Sequence, residues 1–370
     1  MSFVKDNEKY ERWLRKHCRV VEVDLEKKHE RMRESAFVFL RATFFRWAKR
    51  VEGICTDLAK TPPVLSVGDL HLENFGTWRD AEGRLVWGVN DFDEAAVIPY
   101  AFDLVRLATS ARLAANLPIG NRAIARALID GYSDGLERPR PTLLDEQERW
   151  MRPYVAVTDH GRDKFWHEID HLPDATPPDA TPPDAVKKAV ESAGLPEGAG
   201  NIRYAPRVAG GGSLGRPRYV AIAEWNGGRI FREAKALVPS GWNWAHNNSS
   251  THSRFLDLAN GRHRSPDPFL RVHEGSGVQE RFIVRRMAAD ARKINLDDDA
   301  DAVNSARMVT AMGFDLGAIH AADERGRHAI RRDLDKSRRG DDWLYEAARD
   351  VADAVNADYD EWRRDGRIKP

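Results

Sequence analysis

Apolar residues recur every three or four positions through the first fifty residues, and charged residues fill most of the positions between them. Phe37, Leu40, Phe44 and Trp47 show this spacing clearly. A period near 3.6 places such residues on one face of a helix. Residues 8–50 are therefore predicted to form two amphipathic helices.

The helical spacing ends at residues 61–63, where a Thr-Pro-Pro sequence precedes the apolar run 64–67. Proline interrupts helices, and the short apolar run predicts a strand that leads into a Gly-Asp loop. A helix is predicted from Ala101, with Asp103 near its start, and another over residues 121–136. The early part of the chain therefore combines a short strand with long helices.

Acid and amide side chains lie on either side of a predicted hairpin. Residues 77–83 are typical of a polar turn and residues 84–89 of a strand, so the hairpin would bring Asp91 back beside Asn74. Asp69 stands shortly before Asn74 in the loop that follows the first strand. Phosphoryl transfer requires a carboxylate near the attacking hydroxyl and oxygen ligands for the metal that bridges the phosphates.

These side chains predict a phosphotransferase that depends on ATP and Mg²⁺ and acts on a hydroxyl acceptor. Asp69 suits the position beside the acceptor hydroxyl. Mg²⁺ prefers hard oxygen ligands, which Asn74 and Asp91 can supply, with Asp93 as a further candidate. The predicted catalytic residues are Asp69, Asn74 and Asp91, and the predicted metal ligands are Asn74, Asp91 and Asp93.

A glycine-rich segment, GGGSLG, lies much later, between two strand-like runs. Taken alone it could be only a flexible hairpin loop, but glycine also lets backbone amides approach phosphates closely. A kinase needs a cation on a nearby strand, and Arg232 and Lys235 compete for this role. They cannot both face inward on a regular strand. The predicted nucleotide-binding residues are Gly210, Gly211, Gly212, Ser213, Gly215, Arg232 and Lys235.

The last third of the chain is predicted to contain a strand over residues 281–287 and a helix over residues 302–322. Arg285 and Arg286 on the strand could touch phosphate or substrate, but a surface ion pair is expected for each of them. His320 on the helix is expected to make a structural contact, because a lone histidine on an amphipathic helix usually does so.

The predicted fold class is α+β, in two lobes. The expected parts are N-terminal helices (1–60), the catalytic part of the large lobe (61–170), a linker (171–200), a small nucleotide-binding lobe (201–296), and helices that return to the large lobe (297–370). The linker contains the tandem repeat DATPPDATPPDA at residues 174–185, which is typical of an extended spacer.

Composition narrows the class of protein without identifying a substrate. The 370 residues are 42% hydrophobic, enough for a large core, and 58 basic side chains balance 58 acidic ones. No overall basic charge suggests nucleic acid as a partner, and no segment predicts membrane association. Cys18 and Cys55 fit neither a disulfide framework nor a metal motif, so a cytoplasmic location is expected.

The motifs resemble those of the protein-kinase-like fold, in its aminoglycoside phosphotransferase branch. More closely, the chain resembles the bacterial family called domain of unknown function 2252. The shared motifs are KxxxM…FxFxR at 28–41, GDxHxxNFG at 68–76, NDFDE at 90–94 and DLxRLxxS at 103–110, and the match is weakest over 141–200.

The resemblance implies that Asp69 is the catalytic base, that Asn74 and Asp91 bind the metal, and that Asp103 supports the loop. Val67 stands where most such enzymes have histidine. The order of the motifs also differs, because the glycine-rich segment follows the catalytic loop instead of preceding it. Circular permutation of a kinase-like fold is the simplest explanation, and compact domains often tolerate it.

Three alternatives stay open. A kinase-like fold can transfer an adenylyl group instead of a phosphoryl group, or it can be an inactive nucleotide-binding scaffold. A binuclear metallophosphoesterase is less favoured, because the later histidine motifs of that class are absent from the sequence. The sequence does not predict the acceptor, which could be a small molecule or a protein, or the oligomeric state.

Overall fold

Helices and antiparallel strands are interspersed along the chain in a computed structural model that describes residues 2–114, 117, 119–173, 183–293, 305–335 and 340–365. The α+β class is confirmed. Among the described helices, none combines the length and the apolar character needed to cross a membrane.

The N-terminal region forms four helices where the sequence predicted two. They are α1 (Phe3–His17), α2 (Glu22–Arg31), α3 (Ala36–Ala42) and α4 (Phe44–Ile54). The apolar spacing runs past the breaks, so the pattern alone did not reveal them. Ser35 starts a new helix because its side chain accepts a hydrogen bond from the backbone N–H of Val38.

Two small antiparallel sheets follow. One pairs β1 (Pro63–Ser66) with β4 (Ala96–Pro99), and the other has the order β2 (Phe75–Arg79), β3 (Leu85–Val89) and β5 (Thr142–Leu143). Strand β2 continues to Arg79, so the connecting turn is shorter than the predicted turn over residues 77–83. The predicted helices are present as α5 (Ala101–Leu113) and α6 (Asn121–Glu137).

A five-stranded antiparallel sheet forms the next block. Its strands, in chain order, are β6 (Gly200–Pro206), β7 (Arg218–Trp225), β8 (Gly228–Ala236), β9 (Arg271–His273) and β10 (Phe282–Met287), and their order in the sheet is β6-β7-β8-β10-β9. Short helices accompany it: α7 (Arg152–Val155), α8 (Asp159–Asp170), α9 (Asp184–Ala193), α10 (Gly241–Ala245) and α11 (Phe255–Ala259).

The two faces of this sheet differ in character. On one face, Ala234 and Val284 pack against Val186 and Val190 of α9, which lies within the range predicted as a linker. Most of the predicted spacer, residues 174–182, lies outside the described residues. The opposite face carries charged side chains and forms a wall of the site described below.

The chain ends with α12 (Ala306–His320), α13 (Glu324–Asp333) and α14 (Trp343–Arg364). Helix α12 packs against α6 so closely that a Cβ at Gly131 would lie 1.9 Å from the carbonyl oxygen of Thr310. This contact places the late helix behind the loop that contains Asp69. Helix α14 reaches α1, where the backbone N–H of Phe3 donates to Glu361 (3.0 Å).

Candidate functional site

A cleft of about 1070 Å³ lies between the five-stranded sheet and the loop that contains Asp69. Its walls come from the loop after β1, the end of β3, the turn between β6 and β7, and the connector after β10. The cleft thus joins segments that are far apart in the sequence. Predicted site residues that line it are Asp69, Asn74, Asp91, Asp93, Gly210, Gly211, Gly212 and Ser213.

The GD loop, residues 67–74, is fixed to helix α5 by the carboxylate of Asp103. This carboxylate accepts hydrogen bonds from the backbone N–H groups of Val67 (2.7 Å) and Gly68 (2.9 Å). Gly68 has a φ of +81°, and a Cβ there would lie 2.4 Å from the carbonyl oxygen of Glu94. The loop conformation therefore requires glycine at this position.

His320 supports Asp103 from behind the loop. Its Nε2 lies 3.2 Å from Asp103 Oδ2, and its Nδ1 lies 2.8 Å from the hydroxyl of Tyr132. All three side chains are buried. This agrees with the structural contact expected for His320 and shows how the late helix α12 reaches the GD loop.

Asp69 faces the cleft and is paired with the fully buried Arg106. Arg106 donates from Nε (2.9 Å) and Nη2 to Asp69 Oδ1, and its guanidinium lies over the rings of Phe44 and Trp47. Burial raises the pKa of Asp69, and Arg106 only partly opposes this effect. Arg106 holds Oδ1 of Asp69. The other carboxylate oxygen, Oδ2, lies near the glycine-rich segment, because a Cβ at Gly212 would lie 3.6 Å from it.

The β2–β3 hairpin brings Asn74 beside the segment that contains Asp91. The backbone N–H of Asn90 donates to the carbonyl oxygen of Asn74 (3.0 Å), and the Asn74 side chain donates to the backbone carbonyl oxygen of Asp69. Asn74 thus bridges the GD loop and the end of the hairpin, at the position that the sequence predicted for it.

Two lysines neutralise the acids after β3. Lys235 Nζ lies 2.6 Å from Asp93 Oδ2 and 3.4 Å from Asp91 Oδ1, and Lys293 Nζ lies 2.6 Å from Asp91 Oδ2. Burial opposes the charge on Asp91, but Lys235 and Lys293 outweigh burial and hold its pKa well below the usual value. Burial and the neighbouring Asp91 raise the pKa of Asp93.

Asn74, Asp91 and Asp93 line the cleft and carry oxygen atoms, the type of ligand that Mg²⁺ prefers. Asp93 Oδ1 is buried and has no hydrogen-bond partner among the described residues. Within those residues, no group of three or more His, Cys, Asp or Glu side chains is placed to hold a metal alone. Mg²⁺ usually takes one or two carboxylates and completes its ligands with phosphate oxygens and water, which matches this donor set.

The glycine-rich turn, residues 210–215, lies against the N-terminal helices. Lys28 Nζ donates to the carbonyl oxygen of Gly212 (3.0 Å), and a Cβ at Gly212 would lie 2.7 Å from the carbonyl oxygen of Arg41. Burial lowers the pKa of Lys28 to about 8. Helices α2 and α3 therefore hold the turn close to Asp69, a contact that the sequence motif at residues 28–41 did not reveal.

Of the two competing cations on β8, Lys235 reaches the acids. Arg232 points the other way: its Nη1 donates to the backbone carbonyl oxygen of Phe231 (2.9 Å), and its guanidinium lies over the ring of Phe269. The two residues are an odd number of positions apart, so a regular strand places them on opposite faces. Arg232 therefore lies away from Asp91 and Asp93.

A group of charges lies on the wall of the cleft that the five-stranded sheet forms, which we call the inner wall; of these side chains, the sequence singled out Arg285 alone as a possible contact of phosphate. We call Arg207, Arg218 and Arg285 the arginine cluster; all three pair with the fully buried Glu233. Burial opposes the charge on Glu233, but the three arginines outweigh burial and hold its pKa well below the usual value. Arg285 and Arg286 both form the expected ion pairs, with Glu233 and with Asp267 (3.2 Å), but these carboxylates are buried or partly buried and do not lie at an open surface.

The sequence contains a pattern that predicts this cluster, but only when the register of the strands is known. Glu233 and Lys235 are two positions apart and so share a face of β8. In the sheet, Arg285 lies opposite Glu233, and Arg218 lies opposite Lys235. Only the pairing of β7 and β10 with β8 shows that these side chains meet.

Helix α12 also contacts the strand that precedes Asp91. Asp315 accepts a hydrogen bond from the backbone N–H of Val89 (2.7 Å) and pairs with Arg264 (3.1 Å). Helix α12 therefore fixes both the GD loop, through His320, and the end of β3, through Asp315.

The fold and site describe an α+β protein with a large cleft whose walls carry opposed acids and bases. The chain belongs to the family domain of unknown function 2252, described as an uncharacterized protein conserved in bacteria, whose model matches residues 19–149 and 203–365. The family predicted from the motifs is confirmed, and the unmatched stretch falls mainly where the resemblance was weakest. No curated protein and no solved structure matches the chain.

Proposed function

We propose that this protein is an ATP- and Mg²⁺-dependent transferase that moves a phosphoryl group to a hydroxyl acceptor. One observation carries the proposal: Asp69, Asp91 and the glycine-rich turn come from separate segments and line one cleft. Protein kinases use a glycine-rich loop over the phosphates, a lysine on the third strand of the small lobe, and an acid near the acceptor. The turn between β6 and β7, Lys235 on β8, and Asp69 match these parts.

The proposal includes a two-lobed kinase-like fold in permuted order. The five-stranded sheet would be the small lobe, and the GD loop with α5, α6 and α12 would be the core of the large lobe. Helix α12 follows the sheet in sequence but packs behind the GD loop, which precedes the sheet. This rearrangement of chain order around one cleft supports the permutation.

Each of the site residues would have its own role in this transfer. Asp69 would accept the proton of the acceptor hydroxyl as its oxygen bonds to the γ-phosphorus and the bond to ADP breaks. Arg106 would hold the Asp69 carboxylate in one orientation. The glycine-rich turn would cover the phosphates, and Lys235 would exchange its contact with Asp93 for a phosphate oxygen.

Asn74, Asp91 and Asp93 would hold the metal. Bound there, Mg²⁺ would neutralise the phosphate oxygens and orient them. Because Lys235 and Lys293 already balance these acids, the site keeps Asp91 charged before any ligand binds.

Transfer from labelled ATP tests the function. Purified protein would be incubated with a bacterial extract, as a source of acceptors, and with ATP labelled at either the γ- or the α-phosphate. We expect γ-label in an acceptor product, dependent on Mg²⁺, and loss of transfer in Asp69→Asn and Asp91→Asn. The control is Asp134→Asn, an exposed acid on α6 that pairs with Arg138 outside the cleft.

The possible outcomes separate the alternatives. Transfer of α-label identifies an adenylyltransferase, and ATP binding without transfer of either label identifies an inactive scaffold. Full transfer by Asp91→Asn would overturn the assignment of the metal site. Tight binding of Mn²⁺ or Zn²⁺ without nucleotide, together with phosphoester hydrolysis, would favour the metallophosphoesterase instead.

Adenylyl transfer is the second candidate, and the arginine cluster favours it. A base is best bound by apolar or aromatic surface, whereas the inner wall of this cleft carries guanidinium groups. If the distal phosphates of ATP bind these guanidinium groups, the nucleotide is turned over relative to its orientation in a kinase, and transfer of the adenylyl group is the expected reaction.

A further inference from the structure

We propose that the arginine cluster on the inner wall of the cleft is an anion-binding subsite that takes a phosphate or pyrophosphate group. None of the three arginines is among the predicted nucleotide-binding residues, although Arg218 contacts Ser213 and lies opposite Lys235. The subsite deepens the proposed function, on which its biological role rests. The direction, the charge and the rigidity of the three side chains all favour binding of an anion.

The three guanidinium groups are held in fixed positions by one carboxylate. Arg207 Nη1 lies 2.7 Å from Glu233 Oε2, Arg218 Nη1 lies 3.1 Å from the same oxygen, and Arg285 Nη2 lies 2.7 Å from Oε1. A single buried Glu233 therefore orients three arginines. Rigid, pre-oriented guanidinium groups lose little entropy when they bind a ligand.

Arg218 connects the cluster to the glycine-rich turn. Its Nη2 donates to Ser213 Oγ (2.8 Å), and a Cβ at Gly210 would lie 3.5 Å from the same nitrogen. The cluster therefore begins directly beside the backbone that was predicted to cover phosphates. The surface that binds anions would extend without a gap from the turn to the cluster.

Positive charge exceeds negative charge at this wall. Glu233 and Glu168 are the carboxylates paired with the three arginines, and Glu168 is half exposed and contacts only Arg207 within the cluster. The cluster therefore has a net charge of one positive unit. An anion would neutralise this charge.

A purely structural role does not explain the arrangement. Buried ion pairs add little stability compared with apolar packing, and the other face of the same strands is packed with apolar side chains against α9. All three arginines line the cleft, and Arg285 keeps 30% of its side chain exposed there. Guanidinium groups that converge on an open cavity are typical of phosphate recognition.

The phosphate group could come from two sources. It could belong to the nucleotide, whose distal phosphates would then enter the cleft first, or to a phosphorylated acceptor that binds beside the nucleotide. The chemistry that the subsite recognises is the same in both cases, and competition between ligands distinguishes them.

Binding of pyrophosphate to the full chain, measured by calorimetry without Mg²⁺ or nucleotide, tests the subsite. We expect wild-type protein to bind and Arg285→Gln to bind about tenfold more weakly or worse. Arg285→Lys should retain part of the affinity. Arg281→Gln is the matched control, because Arg281 directly precedes β10 and pairs with Glu274 outside the cleft. Arg207→Gln replaces Arg285→Gln if that variant does not fold.

The outcomes decide whether the subsite exists and which ligand supplies its phosphate group. Absence of pyrophosphate binding to wild-type protein, or equal binding by Arg285→Gln and Arg281→Gln, overturns the proposal. Displacement of pyrophosphate by ATP but not by adenosine assigns the subsite to the nucleotide, whereas simultaneous binding of both assigns it to the acceptor.

Asp91→Asn separates this proposal from the proposed function. The subsite requires that this variant still binds pyrophosphate, while the transferase proposal requires that it loses transfer. Pyrophosphate binding without any transfer by wild-type protein would leave the subsite standing and refute the transferase.

Discussion

Replacing Gly131 by alanine tests the contact that places α12 behind the GD loop. Helices α6 and α12 touch backbone to backbone: a Cβ at Gly131 would lie 1.9 Å from the carbonyl oxygen of Thr310, and one at Gly317 would lie 2.2 Å from that of Tyr132. Carbon and carbonyl oxygen normally stay more than about 3 Å apart, so the helices would have to separate by roughly 1 Å.

The expected cost follows from two opposed effects. Forcing a methyl group into a packed interface costs about 1–3 kcal/mol, and more when the obstacle is backbone that cannot rotate away. Alanine recovers at most about 1 kcal/mol over glycine through its helix propensity. We therefore expect Gly131→Ala to lower the free energy of unfolding by about 2 kcal/mol.

Urea unfolding followed by tryptophan fluorescence measures this change through the transition midpoint at constant m-value. Gly53→Ala is the matched control, because Gly53 lies in α4 and a Cβ there would have nothing within 4 Å. This control should gain up to about 1 kcal/mol. If Gly131→Ala is as stable as Gly53→Ala, the close approach of the helices is wrong.

Three further predictions concern the site. Asp103→Asn keeps only one acceptor oxygen for Val67 and Gly68, so the free energy of unfolding should fall by about 2 kcal/mol in urea denaturation, and an unchanged midpoint would contradict the role of the carboxylate. Lys28 has a pKa of about 8 when folded and 10.5 when unfolded, so the unfolded state binds more protons between these pH values. The free energy of unfolding of the wild-type protein should therefore rise with pH in this range, by up to about 3 kcal/mol relative to Lys28→Met. Lys27→Met, at an exposed position, should keep the wild-type trend, and a difference between wild type and Lys28→Met that does not change with pH would refute the buried charge. Arg106→Lys cannot reproduce the paired hydrogen bonds to Asp69, so the rate of label transfer should fall about tenfold at unchanged ATP affinity, and an unchanged rate would count against the positioning role.

Local pattern was enough to predict the elements around the GD loop. The stretch between Asn74 and Asp91 contains two strands joined by a turn, so a hairpin could be inferred without any tertiary information. The helix that begins at Ala101 also followed from local signals, such as Asp103 near its start. In these cases the deciding interactions lie between residues close in sequence.

Contacts between distant segments could not be predicted in the same way. Arg207, Arg218 and Arg285 lie on three different segments, and their meeting at Glu233 depends on the strand order and register. Lys28 was part of a recognised motif, but its hydrogen bond to Gly212 depends on how α2 packs against the glycine-rich turn. The four N-terminal helices were merged into two because the apolar spacing continues across the breaks.

The contact between the first and last helices has a consequence for how the chain can be rewired. The ring of Phe3 lies edge-on against Trp362, with centroids 5.5 Å apart, and its backbone N–H is bound by Glu361. A short linker could therefore join α14 to α1, and a new start could be made between residues 173 and 183. Such a gene would encode the glycine-rich turn before Asp69, while the same walls would enclose the cleft.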